Sequence, residues 1–269
     1  MDFNLEVIFN QAMEELRRGN RATEAHYPTS ASIVKPDGTV VGKCLRQQFF
    51  KWNNIPPTDP ISLISIQKME WGNVIHDWAG IILDKRFAGI QIDKELSISK
   101  NIDELKKQIR GRMDYFVGKE VAIEVKSTFG SSFFNKDYGI IHVGPKEAHL
   151  LQVLVYTNLC DIGLTKLFYI ARDTGFKLSF DVKIDKEGNY PVAYRRDPIK
   201  KINREWRYPL LTWENVVKRW VELEGYLARN EMPPMDCKFK SKYPCSYCDY
   251  KTACHGETKK RKSKKEVPK

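Results

Sequence analysis

Apolar residues recur every three or four positions over some stretches of this chain and every second position over others, and the two periods predict helices and strands respectively. Phe3, Val7, Ile8, Met13 and Leu16 predict an amphipathic helix over residues 2–18, ending near Gly19-Asn20. Residues 23–42 hold Pro28, Pro36, Asp37-Gly38 and several Ser and Thr without a strong period, which predicts loop with at most one hairpin. Residues 44–53 read as a short helix closed by Pro56-Pro57, and a longer helix follows over about 62–86.

After Gly89 the period falls to two. Residues 91–98, 110–117 and 121–128 predict three successive strands. Pro145 opens a helix running to about residue 160, and 166–171 and 177–184 add two strands around Asp173-Thr174-Gly175. A long amphipathic helix over 213–230 precedes Pro233-Pro234 and a cysteine-rich segment of about twenty residues, too short to build its own core without a metal or the main body. The organisation expected is a helical region over 1–60, an α/β (α+β) core over 61–232, the cysteine-rich segment over 233–256 and a basic tail over 257–269.

The 269 residues are 42% hydrophobic with a net charge of +11, which excludes a disordered chain and a coiled coil. Much of that charge is local, because from Lys259 onward there are seven basic residues and one acid, Glu266. Such a tail reads as a solvated arm near phosphates, a nuclear address or a solubility device. No run of about 18 uncharged apolar residues occurs, and the N-terminus lacks the basic-then-apolar order of a signal peptide. The expected setting is cytoplasmic, or nuclear if the tail is an address, with no membrane association.

Chemistry is concentrated between Gly111 and Ser127. On a strand, Glu124 and Lys126 share one face and Ile123 and Val125 the other. Asp114 joins Glu124 only in one register: a two-residue turn at Gly118-Lys119 sets it opposite Ile123, a three-residue loop opposite Glu124. The three-residue loop is expected, since Gly118 tolerates positive φ. Two converging carboxylates suit a hard divalent cation such as Mg²⁺ or Mn²⁺, and a lysine beside it can orient water and stabilise charge on a phosphate. A surface hairpin with an ordinary Glu/Lys pair is the competing reading.

Two helices add to this. In Trp71–Gly80, positions Gly72, His76 and Gly80 form a narrow strip suited to close approach, beside an apolar strip of Ile75, Trp78 and Ile82. His76 is there a third candidate metal ligand. In the helix after Pro145, Gln152 and Tyr156 share a face within an apolar run; they could support a metal site, bind DNA or form a buried polar pair.

The ordered series His76, Gly111-x-x-Asp114, Glu124-x-Lys126 and Gln152-x-x-x-Tyr156 resembles the RecB-like branch of the PD-(D/E)XK nuclease superfamily. The resemblance spans about residues 71–156. It implies a restriction-endonuclease-like core with a mixed central sheet flanked by helices. It further implies that His76, Asp114, Glu124 and the Val125 carbonyl hold the catalytic Mg²⁺ or Mn²⁺, with Lys126 catalytic and Gln152 and Tyr156 supporting the site or DNA.

Six cysteines in a chain without an export signal point to metal or buried thiols instead of disulfides. Cys245, Cys248 and Cys254 form a C-x-x-C-x₅-C run, and Cys44 lies about 200 residues earlier. Three clustered thiolates and a distant fourth suit a tetrahedral zinc or an iron-sulfur site, and spacing does not separate the two. Cys-x-Arg at residues 44–46 with the C-terminal run resembles the iron-sulfur nucleases of the CRISPR-associated Cas-four family and AddB-type domains. That resemblance implies a 4Fe-4S clasp over Cys44, Cys245, Cys248 and Cys254, with Cys237 an alternative fourth ligand.

Gly38-x₃-Gly42-Lys43-Cys44 falls one residue short of a P-loop and has Cys where Ser or Thr would bind Mg²⁺, so no motor is expected in this chain. The expected activity is metal-dependent exonuclease action, mainly on single-stranded DNA, in recombination, replication, repair or CRISPR spacer processing, alongside a separate helicase or recombination or CRISPR proteins. The alternative is a zinc-stabilised DNA-binding protein without catalysis. Basic and aromatic residues interleave at 49–52 and 200–208; the first set is expected to be core and the second to face a strand.

Overall fold

The computed structural model describes residues 5–16, 23–196, 203–237 and 245–256. The basic tail, Lys200 to Ile202 and residues 238–244 lie outside the described residues. Helices α1 (Leu5–Glu15), α2 (Leu45–Trp52) and α3 (Leu63–Arg86) occupy the N-terminal third, with the small hairpin β1 (Ser32–Val34) and β2 (Val40–Gly42) between the first two. A seven-stranded sheet follows: β3 (Ile92–Lys100), β4 (Ile109–Val117), β5 (Val121–Thr128), β6 (Leu164–Ala171), β7 (Lys177–Ile184), β8 (Pro191–Arg196) and β9 (Asn203–Arg207). Short helices α4 (Ser131–Phe134) and α5 (Ile140–Val143) lead to α6 (Glu147–Cys160), and α7 (Trp213–Arg229) and α8 (Lys251–His255) close the chain.

The strands lie in chain order, and every neighbouring pair is antiparallel except β5 and β6. That single parallel pair is what α6 makes possible, since joining the end of β5 to the start of β6 demands a crossover. The sheet is therefore mixed and flanked by helices, as the resemblance implied. Helix α6 carries a continuous apolar run because it is covered on all sides, with Leu150 to Tyr156 and Leu159 buried between the sheet, the β1–β2 hairpin and α7. On the other side of the sheet, Ala79 with Ile75 and Leu83 of α3 packs on Tyr115, Ile123, Val125 and Ile170. No helix among the described residues is long and apolar enough to cross a membrane.

Several sequence expectations needed correction. Strands β8 and β9 carried no recognisable signal. The apolar strip of α3 is mostly open: Ile75 packs on the sheet, while Trp78 and Ile82 are exposed. The aromatics near 206 do not face outward, because Trp206 packs edge-on against Phe180 and Tyr208 donates to the Pro145 carbonyl at 3.2 Å. Phe49 and Phe50 are core, as expected.

Candidate active site

The β4–β5 hairpin sets the site. Its ladder pairs Val117 with Val121 and Tyr115 with Ile123, leaving a three-residue loop of Gly118, Lys119 and Glu120. Gly118 and Lys119 both take positive φ, and the Glu120 N–H closes the turn on the Val117 carbonyl. Continuing the register sets Asp114 opposite Glu124, but the main-chain ladder has ended there. The Asp114 carboxylate takes its place: Oδ2 accepts the Val125 N–H at 2.8 Å. Across the same gap in β3, Glu95 has a φ of +52°.

From this gap the two faces diverge. Val125 lies under α3, whereas Lys126 turns towards α6, where its Nζ donates to Gln152 Oε1 at 2.9 Å and also to Glu124 Oε1. Gln152 Nε2 lies 3.3 Å from the Tyr156 hydroxyl, which donates to the Arg112 carbonyl at 2.7 Å. A chain of hydrogen bonds thus runs from the lysine through α6 back to the strand that carries Asp114. Gly111 makes room for it, because a Cβ there would stand 2.8 Å from Tyr156.

Helix α3 brings His76 to the gap. Its Nδ1 lies 3.5 Å from Asp114 Oδ2, and the Tyr115 hydroxyl donates to its carbonyl. The flanking glycines are what permit this approach: a Cβ at Gly80 would sit 3.1 Å from the Tyr115 hydroxyl, and one at Gly72 would sit 3.3 Å from Ser127 Oγ. Burial pushes both carboxylates, Asp114 and Glu124, above the ordinary range, against the pull of the Lys126 ammonium. Burial and then Lys126 push His76 down, favouring the neutral imidazole. Glu124 is 1% exposed, and its Oε2 has no hydrogen-bond partner.

That orphaned oxygen bears on whether a cation fits. Oxygen and neutral imidazole donors suit Mg²⁺ or Mn²⁺, and a buried acceptor without a donor is a group that a cation would satisfy. Among the described residues, however, no three His, Cys, Asp or Glu side chains already stand together as a cation cluster. His76 and Asp114 are paired while Glu124 is drawn to Lys126.

Sequence reasoning passed over His149. It lies three residues before Gln152 and seven before Tyr156, hence on the same face of α6, and its Nδ1 is 2.9 Å from the Tyr169 hydroxyl. Burial, followed by Lys126 and Lys146, holds its pKa well down, so a neutral imidazole stands near the lysine.

Cys44, Cys245, Cys248 and Cys254 lie near one another where α2 and α7 meet the C-terminal segment, although they too form no metal-holding group among the described residues. Cys44 caps α2, accepting the Gln47 N–H at 3.3 Å, and is buried with Cys245 and Cys248. Burial raises its pKa, and the nearby Cys248 and Cys254 raise it further. Cys245 is raised chiefly by burial, then by a hydrogen bond with Cys237 and by the proximity of Cys44, so both candidate fourth thiols lie beside it. His255 Nε2, also passed over, is 3.5 Å from Cys245 Sγ. Leu45, Phe49, Phe50, Leu223 and Tyr250 pack around Cys248.

No family model matches the chain, and no curated protein does. Among solved structures, the chain overlays the crystal structure of SSO0001 with a TM-score of 0.50 at 16% identity, covering 96% of this chain and 98% of that one. Two further similar structures are an alkaline exonuclease, LHK-Exo, from Laribacter hongkongensis and LHK-Exo in complex with dAMP. The first has a TM-score of 0.36 at 14% identity over 60% of this chain and 73% of that one. The second has a TM-score of 0.40 at 16% identity over 69% and 82%. The likeness to SSO0001 is one of fold, extending over nearly the whole of both chains.

Proposed function

We propose that this chain is a metal-dependent DNA exonuclease of the PD-(D/E)XK type, acting mainly on single strands. The observation that carries the reading is Glu124: a carboxylate buried without a partner for Oε2, beside Asp114, His76 and Lys126. A fold bears the desolvation of such a group where it serves a site. Asp114, Glu124, His76 and the Val125 carbonyl would hold Mg²⁺ or Mn²⁺, which supplies Lewis-acid polarisation of the phosphate and a more acidic water. Lys126 orients the attacking water and offsets charge developing on the phosphate oxygens. Gln152 holds the Lys126 ammonium, and Tyr156 ties Gln152 to β4. Cys44, Cys245, Cys248 and Cys254 would hold a 4Fe-4S cluster that closes the C-terminal segment over α2, with Cys237 the alternative fourth thiol.

The test is incubation of 5′- and 3′-labelled single strands with the protein and Mn²⁺. Shortening from one end is expected, lost on chelation and in Lys126→Ala, with DNA binding and fold retained. Wild-type digestion by Lys126→Ala would refute the role of the lysine. For the clasp, anaerobic purification is expected to give a brown protein; a colourless one with stoichiometric zinc would assign the thiols to zinc.

A further inference from the structure

Beside the gap between β4 and β5 lies a groove that none of these roles uses. It has a volume of about 270 Å³ and is lined by Trp71, Lys68 and Ile64 of α3 together with Phe129, Arg172 and Asp173 from the ends of β5 and β6. The groove adjoins the site: Phe129 follows Lys126 by three residues, Arg172 N–H bonds the Thr128 carbonyl at 2.9 Å, and Trp71 precedes the glycine that meets Ser127.

Its chemistry is aromatic and cationic at once. Among the described residues Trp71 is 55% exposed and Phe129 is 39% exposed, so both rings present apolar faces at the groove. The Arg172 guanidinium lies 4.5 Å from the Phe129 ring centre and Lys68 Nζ lies 5.6 Å from it. The one acid, Asp173, is committed to the Gly130 N–H at 2.7 Å. Seven residues further along α3, exposed Trp78 lies under Lys177 at 5.5 Å, so a second ring with its own cation continues the line.

We propose that this groove is a stacking site for a base of single-stranded DNA, with Trp71 and Phe129 as the platform and Arg172 and Lys68 on the adjoining phosphates. Rings alternating with cations match a strand that alternates flat bases with phosphates. A second copy of this chain is disfavoured as the occupant, because it would bring a net charge of +11 against a cationic groove. The volume, near the lower end of the roughly 300–1,000 Å³ of ligand pockets, suits one ring system. The inference deepens the nuclease reading and rests on it for where the strand leads, though not for binding itself.

The experiment is fluorescence anisotropy of a labelled oligo(dT) with the full-length protein in chelator, so that no hydrolysis is involved. Trp71→Ala is expected to weaken binding by about 5- to 150-fold, the range for loss of one stacked base. Trp71→Phe is expected to restore most of it. Arg172→Gln is expected to flatten the slope of log affinity against log salt by about 0.7, as for one single-strand phosphate contact. Unchanged oligo(dT) affinity in Trp71→Ala overturns the proposal. So does a Trp71→Ala protein whose mass in sedimentation falls while its affinity is kept, which would give the face to a second copy. Hydrolysis with Mn²⁺ separates the two readings: cleavage that ignores Trp71 sinks the groove alone, whereas Trp71-dependent binding without any cleavage sinks the nuclease alone.

Discussion

The Asp114 carboxylate accepts the backbone N–H of Val125, so one side chain both ends the β4–β5 ladder and faces the space between Glu124 and Lys126. A main-chain carbonyl in that position would have continued the sheet and closed the gap. The charge of Asp114 and its hydrogen bond are separable. Asp114→Asn keeps an acceptor for Val125 and should fold with a melting temperature close to wild type, while losing hydrolysis by a factor of at least about 100. Circular dichroism melting and a nuclease assay on the same preparation check this; a variant that keeps its rate shows that the carboxylate is not a cation ligand.

Glu124 invites the opposite of the usual expectation for a buried residue. Its carboxyl is pushed up chiefly by burial, so the folded protein binds its proton more tightly than the unfolded chain does. The stability it contributes is present below the ordinary glutamate value of 4.5 and is lost as pH rises through the elevated folded value. Glu124→Gln removes that titration. In chelator at pH 8 its melting temperature should equal or exceed the wild-type value, the difference should shrink towards pH 5, and hydrolysis should be lost. A glutamine variant clearly less stable than wild type at pH 8 would make the carboxylate a structural group.

The parts of this molecule legible in its sequence are those where one physical constraint dominates. The odd register of the β4–β5 hairpin followed from Gly118, and close approach of α3 followed from Gly72 and Gly80, since in both cases only a missing Cβ satisfies the geometry. Strand β9, Asn203–Arg207, was not legible because Trp206 is its one apolar residue, and β8 begins on a proline that reads as a stop. The open rings of α3 were not legible for another reason: periodicity reveals a face, and it does not reveal whether anything covers it. His149 was hidden at the edge of an apolar run, although its spacing of three and seven from Gln152 and Tyr156 was a readable signal.

Lys126 is held by two acceptors, and the Gln152 bond decides where its ammonium points. Gln152→Ala should leave oligonucleotide binding in chelator unchanged and reduce kcat by about 10- to 100-fold, the usual cost of losing a group that orients a functional side chain. Gln152→Glu should reduce kcat too, by adding a second negative charge to a buried carboxylate's surroundings. Wild-type kcat in Gln152→Ala would show that Glu124 alone positions the lysine.

Gly111 tests the far end of the same chain of bonds. A methyl group there meets Tyr156 Cε1 at 2.8 Å and Pro28 Cγ at 3.0 Å, and neither neighbour is the free tip of a flexible side chain. Gly111→Ala should destabilise the protein by about 1–3 kcal/mol, as overpacking does. It should also lower kcat by displacing the ring that ties Gln152 to the Arg112 carbonyl. Thermal melting and steady-state kinetics together separate the two effects, and unchanged values in both would mean that the ring moves aside freely.

The C-terminal segment depends on a cap supplied from far away in the chain. Helix α8 has five residues, too few to hold itself, and its first amides are met by Asp59 and Thr58: Thr252 N–H to Asp59 Oδ2 at 2.6 Å and Ala253 N–H to Thr58 Oγ1 at 3.1 Å. Burial pushes the Asp59 carboxyl up, but hydrogen bonds from Thr252 and Thr58, with Lys251 nearby, hold it below the ordinary range. Its contribution is therefore present above pH 3.8 and fades as the pH falls below that value. Asp59→Ala should cost about 1.5–3 kcal/mol locally, as for a hydrogen bond to a charged group, fray α8 and free Cys254. Limited proteolysis is expected to cut the variant around α8 faster than wild type, and, if the thiols hold the proposed cluster, bound metal is expected to fall in parallel. Equal protease resistance and equal metal content would show that the thiols and the Phe50–Tyr250 contact hold the segment without this cap.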